Sequence, residues 1–375
     1  MVSKRNETTK TRETVLEIDL KALQHNYEYL RSKIKAETKF LAVVKAYAYG
    51  SDSQAIAVRL QNLGVDYFAV AYAYEGVHLR EAGVTTPILV LHPQKVHFKI
   101  LIEHTLEPSI YSKSILSDFI LTAQKLGVKD YPIHLKFNTG LNRLGLSAKE
   151  LPLISKLLNK QDAVKIIGIL SHLAATEDNK ETEFTNLQLK RFETICKNAD
   201  ATFKNKLLKH VLNTSGIINY PQAQYDMVRS GIGLYGYGNQ PDVDTHLIPV
   251  ATLKTIIAQK HSIPAGESVG YNRKYTSDSE TITATLPLGH ADGIGRQYGH
   301  GKTFVSIHGQ LAPIIGNVCM DMIMIDVTGI ECAEGDEVII FGKELSASEF
   351  SQTANTISYE LITGLSQRIK RLIIN

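Results

Sequence analysis

Residues 40–50 read FLAVVKAYAYG, in which an apolar run of five residues ends at Lys45. A short apolar run without polar alternation is typical of a strand that is buried on both faces of a parallel sheet. Seven similar runs follow, often separated by stretches with helical spacing: residues 67–71, 88–91, 106–110, 133–137, 168–172, 210–214 and 227–232. Eight alternations of this kind predict an α/β fold with a (β/α)8 TIM-like barrel, and a doubly wound sheet is the alternative.

The pattern changes after about residue 245. Apolar runs become closely spaced and are separated by turn sequences such as Pro264-Ala265-Gly266, which indicates a mainly β domain. We therefore predict a lead-in or linker remnant at residues 1–13, the barrel at residues 14–245 and a mainly β C-terminal domain at residues 246–375. Asp19 is the predicted N-cap of a helix that precedes the first barrel strand.

Composition and charge exclude several classes of protein. The 41 basic and 38 acidic residues are mixed along the 375-residue chain, so no basic patch for nucleic acid is visible. No apolar run approaches the roughly 18 residues of a membrane helix, and the polar N-terminus does not resemble a signal peptide. The three cysteines are too few and too scattered for a disulfide framework or a zinc site. We predict a cytoplasmic protein without a metal, a membrane or a nucleic-acid partner.

The chemistry of a barrel lies at the carboxyl ends of its strands. Lys45 stands there, where lost hydration lowers the pKa of a lysine and makes it a nucleophile toward carbonyl groups. An exposed lysine at a strand end is nevertheless the commoner interpretation. His172 is equally typical of a hydrogen-bonded core histidine. Arg229 lies inside a strand, where a guanidinium is costly to bury unless it meets a fixed partner.

The loops after the seventh and eighth runs contain NTSG at residues 213–216 and SGIG at residues 230–233. In barrels these two loops often bind phosphate through backbone N–H groups, although ordinary turns have the same composition. With Lys45 in the same mouth, they favour an aldehyde-bearing phosphate such as pyridoxal phosphate, or a phosphosugar aldolase that uses a lysine Schiff base. GIGLYG at residues 231–236 matches the dinucleotide pattern but does not open an N-terminal βαβ unit, so we do not assign it to a dinucleotide.

Seven motifs resemble those of the alanine racemase family, in the family's order and over essentially the whole chain. They are AVVKAYAYG at 42–50, LKFNTGLNRLG at 135–145, SHLA at 171–174, MVRSGI at 227–232, VGY at 269–271, ADG at 291–293 and GNVCMD at 316–321. The variants present here are most similar to the racemase half of bifunctional proteins in which a cell-wall tripeptide ligase precedes the racemase. The resemblance implies a homodimer with shared active sites that interconverts L-alanine and D-alanine, supplying D-alanine for peptidoglycan.

The resemblance also implies the roles of individual residues. Lys45 would hold pyridoxal phosphate as an aldimine and act as one of two bases, and Tyr271, reaching in from the partner subunit, would be the other. The cofactor phosphate would be bound by Tyr49, Thr214, Gly231, Ile232 and Tyr359. The remaining roles would be those of Arg229 at the pyridine nitrogen, His172 between Tyr271 and Arg229, Arg143 and the backbone of Met320 at the substrate carboxylate, and Lys136 as a lysine that is carbamylated in many members.

Several positions differ from the family pattern. These differences affect what can be expected of the carbamylation of Lys136 and of the shape of the substrate entrance. They are Tyr47 in place of Asn, Ser51-Asp52 in place of His-Gly, Asn138 in place of Asp, His290 in place of Tyr and Asn317 in place of Arg.

Three other functions stay open at this point. They are a pyridoxal-phosphate racemase of another amino acid such as serine, a cofactor-free Schiff-base aldolase, and a non-catalytic pyridoxal-phosphate carrier. Carriers are single barrels, so the β domain argues against the third. An arginine is a very poor proton donor and keeps the pyridine nitrogen unprotonated, whereas a barrel decarboxylase needs a carboxylate there. Arg229 therefore favours a racemase.

Overall fold

The computed structural model describes residues 13–375, so most of the predicted lead-in at residues 1–13 lies outside the described part of the chain. The described residues begin with strand β1 (Val15–Asp19) and the helix Leu20–Ser32. The Asp19 carboxylate accepts a hydrogen bond from the Lys21 amide at 2.9 Å, as expected of an N-cap. These residues form two compact units: Ala22–Ile248 is one, and Pro249–Asn375 together with residues 13–21 is the other.

The unit Ala22–Ile248 is built on eight parallel strands in chain order. Strand β2 pairs with β3 on one side and β9 on the other, and the Arg229 amide donates to the Leu212 carbonyl at 3.1 Å between the eighth and ninth strands. The sheet therefore closes on itself, and the predicted barrel is confirmed. The strands are β2 Lys39–Val43, β3 Tyr67–Val70, β4 Ile88–Val90, β5 Glu107–Ile110, β6 Tyr131–Lys136, β7 Val164–Leu170, β8 Leu208–His210 and β9 Met227–Ser230.

Helices connect the barrel strands. In Lys113–Lys125, for example, Ser112 caps the first turn by accepting from the Ile115 amide at 3.2 Å, and the apolar stripe is buried against the barrel unit. The other helices of this unit are Ser53–Asn62, Ala73–Glu81, Phe98–Glu103, Leu151–Leu158, Thr182–Thr202, Thr214–Asn219 and Pro241–Asp244. Their apolar faces and the strand interiors together form the core.

The second unit is mainly β, as predicted. Its strands are β10 Ala251–Ile256, β11 Gln259–Ile263, β12 Ser268–Val269, β13 Tyr275–Thr276, β14 Thr281–Leu286, β15 Phe304–Ile307, β16 Gln310–Ile315, β17 Ile323–Asp326, β18 Glu337–Phe341 and β19 Lys370–Ile374. Nine strands form one sheet in the order β11-β14-β17-β16-β15-β18-β10-β1-β19, and β12 pairs with β13. The helices Ala347–Gln352 and Ser358–Thr363 complete the unit.

The first strand lies in a different unit from the one that the sequence predicts. We expected the barrel domain to begin at residue 14, but β1 pairs antiparallel with β10 and parallel with β19 in the β unit. Leu16 stands opposite Leu253 in one ladder and opposite Arg371 in the other, and its side chain is buried. Local periodicity identifies a strand but not a partner that is remote in the chain, which is why the sequence did not reveal this pairing.

Residues 13–375 contain neither a helix that could span a membrane nor a cluster of metal-binding side chains. None of the helices there combines the length and the apolar character required for crossing a bilayer. Nor do the described His, Cys, Asp and Glu side chains form a group of three that is suited to a metal ion. All three cysteines are free thiols, and Cys196 is buried.

Candidate active site

Lys45 opens a left-handed turn at the carboxyl end of β2. The residues from Ala46 to Tyr49 have φ between 52° and 55°, a conformation that costs a non-glycine residue about 1–2 kcal/mol. Glu75 holds the turn, because one carboxylate oxygen accepts from the Ala46 amide at 2.6 Å and the other from the Ala71 amide at 2.6 Å. The turn fixes the backbone at Lys45 and brings the Tyr49 side chain against Gly231.

The amine of Lys45 is more easily neutralised than an ordinary lysine. Burial lowers its pKa, the positive charge of Arg143 lowers it further, and the carboxylate of Glu75 acts in the opposite direction. The unprotonated amine is the form that attacks a carbonyl group or accepts a proton. The position therefore suits both of these tasks.

The mouth of the barrel is strongly cationic. Lys136, at the end of β6, is 5% exposed, and burial together with the charges of Arg143, Arg229 and Lys45 lowers its pKa to about 8. Burial and the charges of Lys136, Lys45 and Arg143 lower the pKa of His92, which follows β4, to about 4. Cations collected at one mouth favour an anionic ligand, such as a compound with phosphate and carboxylate groups.

A small cradle lies where β8 and β9 end. The hydroxyl of Thr214 accepts from the amides of Gly231 and Gly233, both at 3.4 Å, and lies 3.0 Å from the Ser230 hydroxyl. A Cβ added at Gly231 would lie 2.1 Å from the Tyr49 hydroxyl, so only glycine allows this close approach. These backbone amides and hydroxyls are suited to the phosphate of pyridoxal phosphate.

Ser215 adds a further donor that the sequence interpretation missed. Its hydroxyl is buried directly after Thr214 in the chain and has no hydrogen-bond partner among the described protein atoms. A buried polar group without a partner costs about 1–3 kcal/mol, which a bound phosphate oxygen would offset. The residues of this cradle therefore fit the cofactor. The only local signal was the serine in the predicted phosphate loop.

Arg229 has the fixed partners that a buried guanidinium requires. One terminal nitrogen donates to His210 Nδ1 and to the His210 carbonyl, both at 3.0 Å. The other donates to the carbonyls of Ser171 and Val211, at 2.7 and 3.1 Å, and to His172 Nδ1 at 3.2 Å. Burial lowers the pKa of Arg229 to about 10, so the group stays charged at neutral pH.

The contact with Arg229 determines the protonation of His172. Since Arg229 can only donate, His172 accepts at Nδ1 and a neutral ring carries its proton on Nε2. Burial, followed by the charge of Arg229, holds the pKa of His172 well below its usual value, so the ring is neutral. His172 and Arg229 are therefore in direct contact, in line with the neighbouring roles that the resemblance implies for them.

Three predicted site residues belong to the β unit. Tyr271 lies between β12 and β13, and its side chain is 70% exposed although its backbone carbonyl accepts from the Asn317 amide group at 2.9 Å. Met320 is 60% exposed, and its carbonyl accepts from the Ala291 amide at 3.0 Å. Tyr359 lies in the helix Ser358–Thr363. Both Tyr271 and Met320 are thus exposed in the single chain although a hydrogen bond holds the backbone of each.

The site motifs of the β unit are tied together by an ion-pair network. Arg368 donates to Asp292 at 2.7 Å and to Asp321 at 2.6 Å, which links ADG at residues 291–293 with GNVCMD at residues 316–321. The sequence interpretation quoted both motifs but did not identify Arg368, because its position far along the chain gave no local signal. Asn317, where the family has arginine, braces the Tyr271 backbone through its amide.

Comparisons with known proteins agree with this geometry. Family descriptions for the alanine racemase N-terminal and C-terminal domains match residues 18–239 and 250–373. The alanine racemase of Treponema denticola is 34% identical over 371 residues, covering 96% of this chain and 97% of that protein.

Solved structures of alanine racemases are also similar to this chain. That from Bartonella henselae, with covalently bound pyridoxal phosphate, has a TM-score of 0.87 and 31% identity, and covers 96% of this chain and 99% of its own. That from Bacillus anthracis, with bound L-Ala-P, has a TM-score of 0.89 and 28% identity, and covers 97% of this chain and 95% of its own. The likeness therefore extends over both units of the chain.

Proposed function

Since the chain belongs to the alanine racemase family and is a pyridoxal-phosphate-dependent isomerase of alanine, we propose that Lys45 and Tyr271 are its two bases. The single observation that carries the proposal is the position of Lys45. Its amine has a lowered pKa and stands on a strained turn beside a phosphate-sized cradle. A dinucleotide site does not require a lysine and a phosphate cradle beside an arginine that is hydrogen-bonded to two histidines. An aldolase does not require them either.

When bound, pyridoxal phosphate supplies a carbonyl that accepts amines and a ring that withdraws electrons from the Cα–H bond. Thr214, Ser215, Tyr49 and the backbone amides of Gly231 and Ile232 would hold its phosphate, and Tyr359 would be a further phosphate ligand. Arg229 would bind its ring nitrogen. Because the pKa of Arg229 is still about 10, the guanidinium donates a hydrogen bond but does not give up its proton. This limits side reactions such as transamination.

Racemisation removes the proton from one face of Cα and returns a proton to the other face. An ordinary lysine or tyrosine is a poor proton acceptor at neutral pH, since both pKa values lie near 10. Burial and Arg143 make Lys45 more available for this task. For Tyr271, a hydrogen bond from the protonated Nε2 of His172 favours the phenolate. The two bases thus work on opposite faces while the substrate stays in place.

We assign substrate binding to Arg143 and to the backbone of Met320, which hold the carboxylate. We also propose that Lys136 is carbamylated, because a pKa of about 8 leaves part of its amine neutral and able to add carbon dioxide, with release of a proton. The carbamate anion would offset the positive charge of Arg143. Asn138, which accepts from the amides of Gly140 and Asn142, supplies no such charge itself.

We propose a homodimer in which the partner subunit's Tyr271 completes each site. The exposed side chains of Tyr271 and Met320 in the single chain support this assembly. We place the enzyme in the cytoplasm, where it supplies D-alanine for peptidoglycan. The chemistry of the barrel lies within residues 14–245 and the remaining site residues lie within residues 246–375, although β1 pairs with the strands of the β unit.

The purified holoenzyme is expected to convert L-alanine to D-alanine until the two are equal, as measured by chiral chromatography. L-Serine at the same concentration serves as the competing substrate. We expect kcat/KM for alanine to exceed that for serine by about tenfold to a hundredfold, the range in which a site for an apolar side chain rejects an analogue with an added hydroxyl. Faster turnover of serine would assign the chain to the alternative racemase. Cleavage of a phosphosugar without cofactor would assign it to an aldolase.

Gly231→Ala is expected to weaken the binding of pyridoxal phosphate. The added Cβ would lie 2.1 Å from the Tyr49 hydroxyl and push it out of the cradle. We expect the Kd, measured by absorbance titration of the apoenzyme, to rise about tenfold, which corresponds to roughly 1.4 kcal/mol. Gly64→Ala is the control for an added methyl group in the same unit: its Cβ meets no atom within 4 Å, and because its φ is +88° it should lower stability without changing the Kd. An unchanged Kd in Gly231→Ala would place the phosphate elsewhere.

A further inference from the structure

A line of four buried polar side chains crosses the interior of the barrel and ends at Arg229. Glu107 in β5 lies 3.0 Å from His134 Nε2, and His134 Nδ1 lies 3.3 Å from His210 Nε2. His210 Nδ1 then accepts from Arg229 at 3.0 Å. Both histidines are fully buried, and Glu107 is buried as well. The sequence interpretation did not include these three residues, although each is a polar residue inside an apolar run.

The barrel is built to accommodate this line. A Cβ at Gly168 in β7 would lie 2.2 Å from His134 Nδ1, so the glycine makes room for the imidazole. The pairing of β6 with β7 also changes register between Ile133 and His134. A side chain that only filled the core would require neither the glycine at position 168 nor the shift in register. These two features therefore indicate that the His134 ring has a specific position.

The line has one consistent direction of proton donation. Arg229 can only donate, so a neutral His210 accepts at Nδ1 and has its proton on Nε2. That proton faces His134 Nδ1, so the proton of His134 is on Nε2 and is donated to the Glu107 carboxylate. The hydroxyl of Tyr67 also donates to Glu107. Arg229 at one end, which can only donate, and the Glu107 carboxylate at the other, which can only accept, therefore select the same tautomer of both histidines.

We propose that Glu107 is a positioning residue for the ring-nitrogen end of the cofactor site, acting through His134 and His210 to hold Arg229 in one orientation. The expected effect on catalysis rests on the proposed function. The arrangement of the four side chains does not depend on it. The side-chain and carbonyl partners of Arg229 among the described residues include no carboxylate. Glu107 therefore acts on Arg229 only through the hydrogen bonds of the two histidines.

Glu107→Gln tests the proposal, because the amide has the same shape but no charge and can donate as well as accept. In the apoenzyme, nitrogen NMR of labelled histidine should show His134 and His210 with their protons on Nε2. In the variant, the amide can present its NH2 group as well as its oxygen to His134 Nε2, so His134 should populate both tautomers. In the holoenzyme, kcat for alanine should fall about tenfold with KM within about twofold. Pyruvate released per racemisation event should rise about tenfold, because a less constrained Arg229 protects the ring nitrogen less well.

Tyr67→Phe is the matched control, since it removes the other hydrogen bond to Glu107 and leaves the line intact. We expect its tautomers and its pyruvate ratio to equal those of the unmodified protein. If Glu107→Gln does not fold, Glu107→Asp retains the charge but withdraws the carboxylate from His134, and it should show the same changes. Unchanged tautomers and an unchanged pyruvate ratio in a folded Glu107 variant would overturn the inference, as would equal effects in Tyr67→Phe. If the unmodified enzyme makes no D-alanine, the proposed function fails, while the NMR result still decides the geometry.

Discussion

Lys45→Ala is expected to lower the rate of alanine racemisation by about a thousandfold or more, because one substitution removes a base and the amine that holds the cofactor. The assay is the release of D-alanine from L-alanine, with pyridoxal phosphate in excess. Borohydride reduction of the unmodified protein, followed by peptide mass spectrometry, should locate the cofactor on Lys45. Added methylamine should restore part of the activity, since a small amine replaces the missing group.

Lys39→Ala is the matched control, because Lys39 lies on the same strand and its side chain is 42% exposed beside Asp66. We expect its activity to remain within about twofold, as surface ion pairs contribute little. A cofactor found on Lys136 or on another lysine after reduction would contradict the assignment. So would a Lys45→Ala variant that retains most of the activity.

Mixing inactive Lys45→Ala and Tyr271→Phe chains is expected to restore activity. If each site takes Lys45 from one chain and Tyr271 from the other, every hybrid dimer has one intact site and one site that lacks both groups. Random exchange of subunits makes half of the dimers hybrid, so about a quarter of the original activity should return. Each variant alone should stay below about one part in a hundred.

The exchange is measured after mild dissociation and reassociation, with dimers verified by light scattering. The control for the procedure is a mixture of two Lys45→Ala preparations that carry different affinity tags. If dimers form and no activity returns, both bases belong to the same chain. If both variants are inactive monomers, the homodimer proposal itself is wrong.

The parts of the fold that could be predicted are those that local patterns encode. Strands β2 to β9 were visible because burial on both faces leaves short apolar runs, as in residues 40–44. Lys45 and Arg229 could be identified because a charged side chain next to or within a buried apolar run is costly, which indicates a specific role. His134 and Glu107 had the same signal, but nothing local indicates that two polar residues on neighbouring strands will meet.

The left-handed turn at Lys45 could not be predicted from the sequence. Ala46 and Ala48 are good formers of right-handed helix, and the residues AYAY by themselves favour that hand. The observed hand depends on Glu75, which is remote in the chain and binds the Ala46 amide. Tertiary contacts thus override local preference at the residue where chemistry requires it.

The place of β1 between β10 and β19 has a consequence for biosynthesis. Residues 15–19 are synthesised before residues 251–254 and 370–374, with which their ladders are formed. The barrel residues 22–248 can complete their own sheet before then. In the interval β1 presents unpaired backbone groups along both edges, so the nascent chain passes through a stage at which holdase chaperones have a natural target and premature release favours aggregation.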